Sequence, residues 1–151
     1  MSEVTVTSLS NLRNEVSYGV GQTLLTDEPA ALGGEDAGPD PYTLLLAALG
    51  SCISMTLTLY ARRKGWALSG VRVRLRQRRV HAKDCAGCES SAEGFIHHIE
   101  RAVELEGELT EEQRERLHEI AQRCPVHRTL TSEIVVTDWT GAEPVEETLP
   151  A

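Results

Sequence analysis

The sequence holds little that would send it out of the cell, across a bilayer or onto nucleic acid. Its opening, MSEVTVTSLS, lacks the basic start and apolar stretch of a secretory signal, so we expect a reducing cytoplasm around its four cysteines. There, cysteines serve catalysis, redox chemistry or metal binding more often than structural disulfides. The longest nearly continuous apolar run, residues 44–60, is broken by Gly50, Ser51, Ser54, Thr56 and Thr58; it is short for a bilayer span and reads as a buried helix. Net positive charge is missing as well. With 15 Lys and Arg against 23 Asp and Glu, the formal net charge of −8 disfavours a general nucleic-acid binder, because phosphate contacts need an excess of cations. Aromatic residues are scarce at 4%, which leaves the core to aliphatic side chains, and no segment repeats. The 151 residues suffice for one domain that buries roughly 70% of its unfolded surface, with no metal or disulfide needed merely to fold. We place that domain at residues 1–138 and read 139–151 as a polar, mobile tail.

One local excess of cations stands against the acidic background. VRVRLRQRRV, residues 71–80, alternates with period two, putting Arg72, Arg74, Arg76 and Arg78 on one face of a strand and Val71, Val73 and Leu75 on the other. Downstream, FIHHIERAVELEGE places Glu100, Glu104 and Glu106 on one face and Ile99, Val103 and Leu105 on the other. Paired antiparallel, the two strands set arginines against glutamates, a solvated ladder rather than a phosphate-binding stripe.

Around these strands the order is α+β. Residues 3–8 and 14–28 read as short strands turning at Ser10-Asn11 and near Gly19-Val20-Gly21, an antiparallel meander. A Gly- and Pro-rich loop follows. Asp40 then caps a helix that has Pro41 at its first position, the cations of ARRK in its last turn and Gly65 just beyond. After the two strands, Thr110 with Gln113 forms a capping-box pattern for a second helix, on which Leu117, Ile120, Ala121 and Cys124 share one face; Pro125 marks its end. TSEIVVTD, residues 131–138, reads as a last strand.

Two cysteines therefore fall on the two main helices. Cys52 lies too deep in its helix for the N-terminal dipole to act on it, and free cysteine is in any case a common small core residue. A thiol buried among leucines stays a thiol, so reactivity there requires a cation brought from elsewhere in the chain. Lowering a thiol pKa by about two units takes roughly 2.7 kcal/mol of preference for the thiolate. Cys124, at the carboxyl end of a helix where the dipole disfavours a thiolate, suits a resolving role better than an attacking one.

GPDPYTLLLAALGSCISMTLTLYARRKGW, then RCPVHRTL after a helix, with NLRNE in the preceding meander, resembles the OsmC/Ohr family of thiol-dependent peroxidases, the osmotically inducible and organic hydroperoxide resistance proteins. HAKDCAGCE and CPVHRTL look most like an OsmC-like branch of predicted redox proteins. The resemblance implies an intertwined homodimer in which antiparallel sheets wrap two central helices, with active sites at the subunit interface. It makes Cys52 the peroxidatic cysteine, Cys124 the resolving cysteine and Arg13 the arginine that stabilises thiolate and peroxide. At the position of the glutamate that orients this arginine stands Tyr42, which can hydrogen-bond but carries no charge at neutral pH; Glu35, Asp36 and Asp40 are the carboxylates near enough in sequence to replace it. The implied chemistry is reduction of an organic hydroperoxide through a Cys52 sulfenic acid that Cys124 converts to a disulfide, which an external dithiol reduces; no cofactor is required. The other reading keeps the fold without the catalysis, as a thiol redox or zinc-binding module.

A second cysteine pair stands apart. His81, Cys85 and Cys88 have H-x3-C-x2-C spacing, which supplies three ligands of a tetrahedral zinc site but no evident fourth. A reversible Cys85–Cys88 disulfide that relays electrons, or an exposed loop with incidental thiols, fits the same spacing. His97-His98 reads as a strand pair with one ring facing in and one out, and His127, three residues past Cys124, can sit close to the thiols.

Overall fold

The computed structural model describes residues 3–85 and 94–138. Its first strands, β1 (Val4–Ser8), β2 (Asn14–Tyr18) and β3 (Gln22–Thr26), form the expected antiparallel meander, with Val6 opposite Val16 and Val16 opposite Leu24. Residues 27–40 then fold back on a single carboxylate. Asp27 is buried, and its oxygens accept the backbone N–H of Glu28 at 2.8 Å, Glu35 at 2.9 Å and Ala37 at 3.2 Å. The turn leaves no room for a side chain at Gly34, where a Cβ would lie 1.8 Å from the Glu28 carbonyl oxygen.

Helix α1 (Pro41–Lys64) starts and stops where the sequence marks it. Asp40 Oδ1 accepts from Tyr42 N at 2.9 Å and Thr43 N at 3.0 Å, satisfying donors that the first turn leaves unpaired. At the other end Gly65 takes φ 67°, a left-handed cap that suits a residue without Cβ. The expected buried helix is buried along one stripe only. Leu49, Ile53, Leu57 and Ala61 enter the core, while Met55 and Leu59 are 65% and 54% exposed. By length and composition α1 is also apolar enough to cross a membrane; it is the helix on which the hydrophobic core is built.

β4 (Ala67–His81) and β5 (Phe95–Glu108) form a long antiparallel ribbon. Val71, Val73, Leu75, Ile99, Val103 and Leu105 turn toward α1, and the outer face carries the charge ladder: Arg74 to Glu104 at 2.7 Å, and Arg76 and Arg78 to Glu100 at 2.7 and 3.7 Å. Helix α2 (Glu111–Ala121) opens with the expected reciprocal cap between Thr110 and Gln113 and buries Leu117, Ile120 and Ala121.

Two expectations fail beyond this point. The second helix does not reach Cys124. It ends at Ala121, and Pro125, which excludes helical geometry at the residue before it, starts a short new helix, α3 (Pro125–Leu130), with Cys124 as its N-cap at φ −65° and ψ 144°. Residues 131–138 do not form a strand either. Residues 133–138 take no regular secondary structure, and Ile134, Val135 and Val136 are 56%, 76% and 89% exposed, so their side chains gain no burial to offset the entropy of fixing a strand. α1 packs on β4, α2 and α3, whereas the N-terminal meander packs chiefly on itself.

Candidate functional site

The break after α2 brings the two thiols together. Cys124 is fully buried at the turn between α2 and α3, and Cys52 is partly exposed on the adjoining face of α1. Both are unoxidised, and they share one neighbourhood: the segment that Cys124 opens reaches Cys52 through Val126. Each sulfur also receives a backbone N–H, Cys52 from Val126 at 3.5 Å and Cys124 from His127 at 3.3 Å.

Burial pushes the Cys124 thiol above its ordinary pKa of 9.0, and the neighbouring Cys52 adds to the shift; the His127 N–H and the charge of Arg101 pull the other way. Arg101 sits on the inner face of β5, where its Nη1 donates to the Ala121 carbonyl at 3.0 Å and to His127 Nδ1 at 3.4 Å. A ring nitrogen that accepts from a guanidinium carries no proton, so His127 is neutral with its proton on Nε2. Burial and the nearby Arg101 charge hold its pKa below 6.5 for the same reason. Leu49, Ile99, Leu130, Thr131, His97, Arg101 and His127 line a cavity of about 260 Å³ beside this cluster.

Arg13 is elsewhere. It closes the turn before β2, where its side chain pairs with Glu35 at 3.1 Å and donates to the Ser10 hydroxyl; neither cysteine is among its partners. The Nε–H is aimed off the carboxylate, which makes the Glu35 contact an ion pair rather than a hydrogen bond. Of the three carboxylates that could stand in for the glutamate replaced by Tyr42, Glu35 is the one that meets Arg13. Asp40 is taken up by its helix cap. Tyr42 stacks on His97 with ring centroids 5.9 Å apart, and His97 Nδ1 accepts from Gln77 Nε2 at 2.7 Å.

The zinc expectation finds only fragments. His81 Nδ1 accepts from Lys83 N at 3.3 Å and its ring meets Phe95 edge-on, Cys85 is disulfide-bonded, and Cys88 lies outside the described residues. A disulfide sulfur is not a thiolate ligand, and among the described residues no three His, Cys, Asp or Glu side chains converge on one point.

Arg101 escaped the reading of the sequence, although a signal was present. It shares a strand face with Ile99, Val103 and Leu105. A cation in an apolar stripe must find polar partners inside, and here they surround the second thiol.

The model of the OsmC-like protein family matches residues 33–137, and the chain belongs to that family. Solved structures share the fold at low identity. An organic hydroperoxide resistance protein OsmC from Legionella pneumophila is 19% identical with a TM-score of 0.63, covering 87% of this chain and 89% of its own. The organic hydroperoxide resistance protein OhrB of Bacillus subtilis is 18% identical with a TM-score of 0.60, covering 87% and 90%. An OsmC-like protein from Mycoplasma pneumoniae is 19% identical with a TM-score of 0.66, covering 86% of each chain. No curated protein matches.

Proposed function

We propose that this protein is a thiol peroxidase that reduces organic hydroperoxides in a reducing cytoplasm. The observation that carries the reading is the approach of a partly exposed thiol, Cys52, to a fully buried one, Cys124, on a separate element, with Val126, two residues past Cys124, donating its N–H to Cys52 Sγ at 3.5 Å. The Cys52 thiolate attacks one peroxide oxygen, the O–O bond breaks, and the departing alkoxide takes a proton to leave as alcohol. Cys124 then attacks the resulting sulfenic sulfur, water leaves, and the disulfide is reduced by an external dithiol.

The thiolate still needs a cation at the peroxide site, and the meander that carries Arg13 lies apart from the thiols of its own chain. An intertwined homodimer supplies it, with one protomer's meander laid against the thiol pair of the other. The exposed apolar side chains of β1 and α1, Val4, Val6, Met55 and Leu59, fit such a cover. An aliphatic surround favours organic hydroperoxides over hydrogen peroxide.

Consumption of cumene hydroperoxide with a dithiol reductant tests this. Turnover that disappears in Cys52→Ser is the expected result; equal background rates in both proteins would overturn it. Tyr42, uncharged at the glutamate position and stacked on His97, favours a second reading, a thiol redox module without peroxide turnover, and the same assay separates the two.

A further inference from the structure

A disulfide between Cys52 and Cys124 can be opened at either sulfur, and the choice decides which thiolate departs. Exchange is faster when the departing sulfur is the better-stabilised thiolate and the attacked sulfur is accessible. Access favours attack on Cys52, whereas burial pushes the Cys124 thiol above 9.0 and makes it the poorer leaving group unless a cation offsets that cost. Cys52 is partly exposed and Cys124 fully buried, so an external thiolate meets Cys52 first.

Behind Cys124 stands Arg101. Its hydrogen bonds to the Ala121 carbonyl and to His127 Nδ1 fix the guanidinium to the two elements that flank the cysteine. Among the described residues these partners are uncharged and no carboxylate pairs with it, so its charge is left to act on the sulfur. Among the described residues, the titratable and charged groups that face Cys124 are Cys52 from α1, Arg101 from β5 and His127 from α3.

We propose that Arg101 makes Cys124 the leaving group of the reductive half-reaction, so that the dithiol reductant forms its mixed disulfide on Cys52. This rests on the peroxidase reading only in requiring that Cys52 and Cys124 form a disulfide. One thiolate of the dithiol attacks Cys52 Sγ, the Cys52–Cys124 bond breaks, and its electron pair leaves on Cys124. The second thiol of the reductant loses its proton, attacks the reductant sulfur of the mixed disulfide and closes the reductant's own disulfide. Cys52 thiolate is released. Two electrons pass from dithiol to protein, and Cys124 regains a proton from solvent.

The test bypasses peroxide altogether. The full-length protein is oxidised with diamide, treated with excess 2-mercaptoethanol, quenched by alkylation and mapped by mass spectrometry. The monothiol is expected on Cys52 and the alkyl group on Cys124. R101Q is expected to slow the exchange roughly tenfold while R101K retains most of the rate. In a Cys52→Ser background, R101Q should move the appearance of Cys124 thiolate absorbance to higher pH. The adduct on Cys124, exchange in R101Q at the wild-type rate, or failure of diamide to join Cys52 to Cys124 would each overturn the proposal. The wild-type map needs no variant to fold. A protein that consumes no hydroperoxide but gives this map and these rates would refute the peroxidase reading and leave the role of Arg101 standing.

Discussion

At the scale of single residues, Cys52 takes its backbone donor from a residue far away in sequence, and Cys124 takes one donor from close by and its cation from another strand. Burial alone would leave Cys124 inert, and what offsets it is one amide and one guanidinium, from His127 and Arg101. The ring of His127 is kept neutral in the fold, which has a consequence for stability. Its folded pKa lies below 6.5, so between that value and 6.5 the unfolded chain binds more protons and stability rises with pH. Acidification through this window therefore weakens the fold. Denaturant midpoints across the window should show that slope in the wild type and a shallower one in His127→Gln; parallel profiles would count against it. The Arg13–Glu35 pair behaves differently, because its side chains are 37% and 53% exposed. Glu35→Gln should cost at most about 1 kcal/mol of stability. If Glu35 orients Arg13, the same change lowers hydroperoxide turnover; a large loss of stability with unchanged turnover would make Glu35 structural instead.

At the scale of elements, the best legibility came where local signals agreed. Asp40, Pro41, the terminal cations and Gly65 all mark α1, and its limits match them. The ribbon was equally readable, since alternation with period two fixes which face meets the core. The stretch from Ala121 to Asp138 was misread for a physical reason. Proline both ends one helix and favours the first turn of the next, and only the chain's packing decides whether it breaks or restarts. The helix dipole at Cys124 was therefore assigned the wrong sign. Residues 29–41 read only as a loop and Asp27 as the end of a strand, because one buried carboxylate that gathers an adjacent amide and two distant ones leaves no periodic trace. Burial works to raise the Asp27 pKa, but its amide hydrogen bonds and the charge of Arg13 outweigh it and keep the group below 3.8. Its contribution is thus full above pH 3.8 and is lost as pH falls through the folded value. Asp27→Ala should lower the melting temperature near neutrality, with the gap to wild type narrowing in acid below pH 3.8; a constant gap would refute the ionic account. Thr110→Ala, which removes the cap of α2, should cost about 1 kcal/mol at either pH.

At the scale of the whole molecule, a single chain leaves too much apolar surface uncovered. Met55 and Leu59 on α1 and Val4 and Val6 on β1 are all more than half exposed, and Thr43, Leu46, Ala47, Gly50, Ser51, Ser54, Met55, Val73 and Leu75 line an open groove of about 660 Å³ along α1. The groove runs past the helix turn that bears Cys52, while Arg13, the arginine of the proposed chemistry, sits on a meander that packs chiefly on itself. Sequence patterning cannot show this, since periodicity reports which face is apolar and not whether the cover comes from the same chain. On the proposed reading, a second copy would account for both the surface and the missing cation. Sedimentation should accordingly give twice the chain mass of 16.6 kDa at micromolar concentration. Met55→Lys, which places a charge on the exposed side of α1 without touching Leu49, Ile53, Leu57 or Ala61, should shift the protein toward monomer and lower hydroperoxide turnover together. A wild type that sediments as a monomer and still turns over hydroperoxide would show that one chain completes the site, and Arg101, the cation already beside Cys124, would then be the first residue to test in place of Arg13.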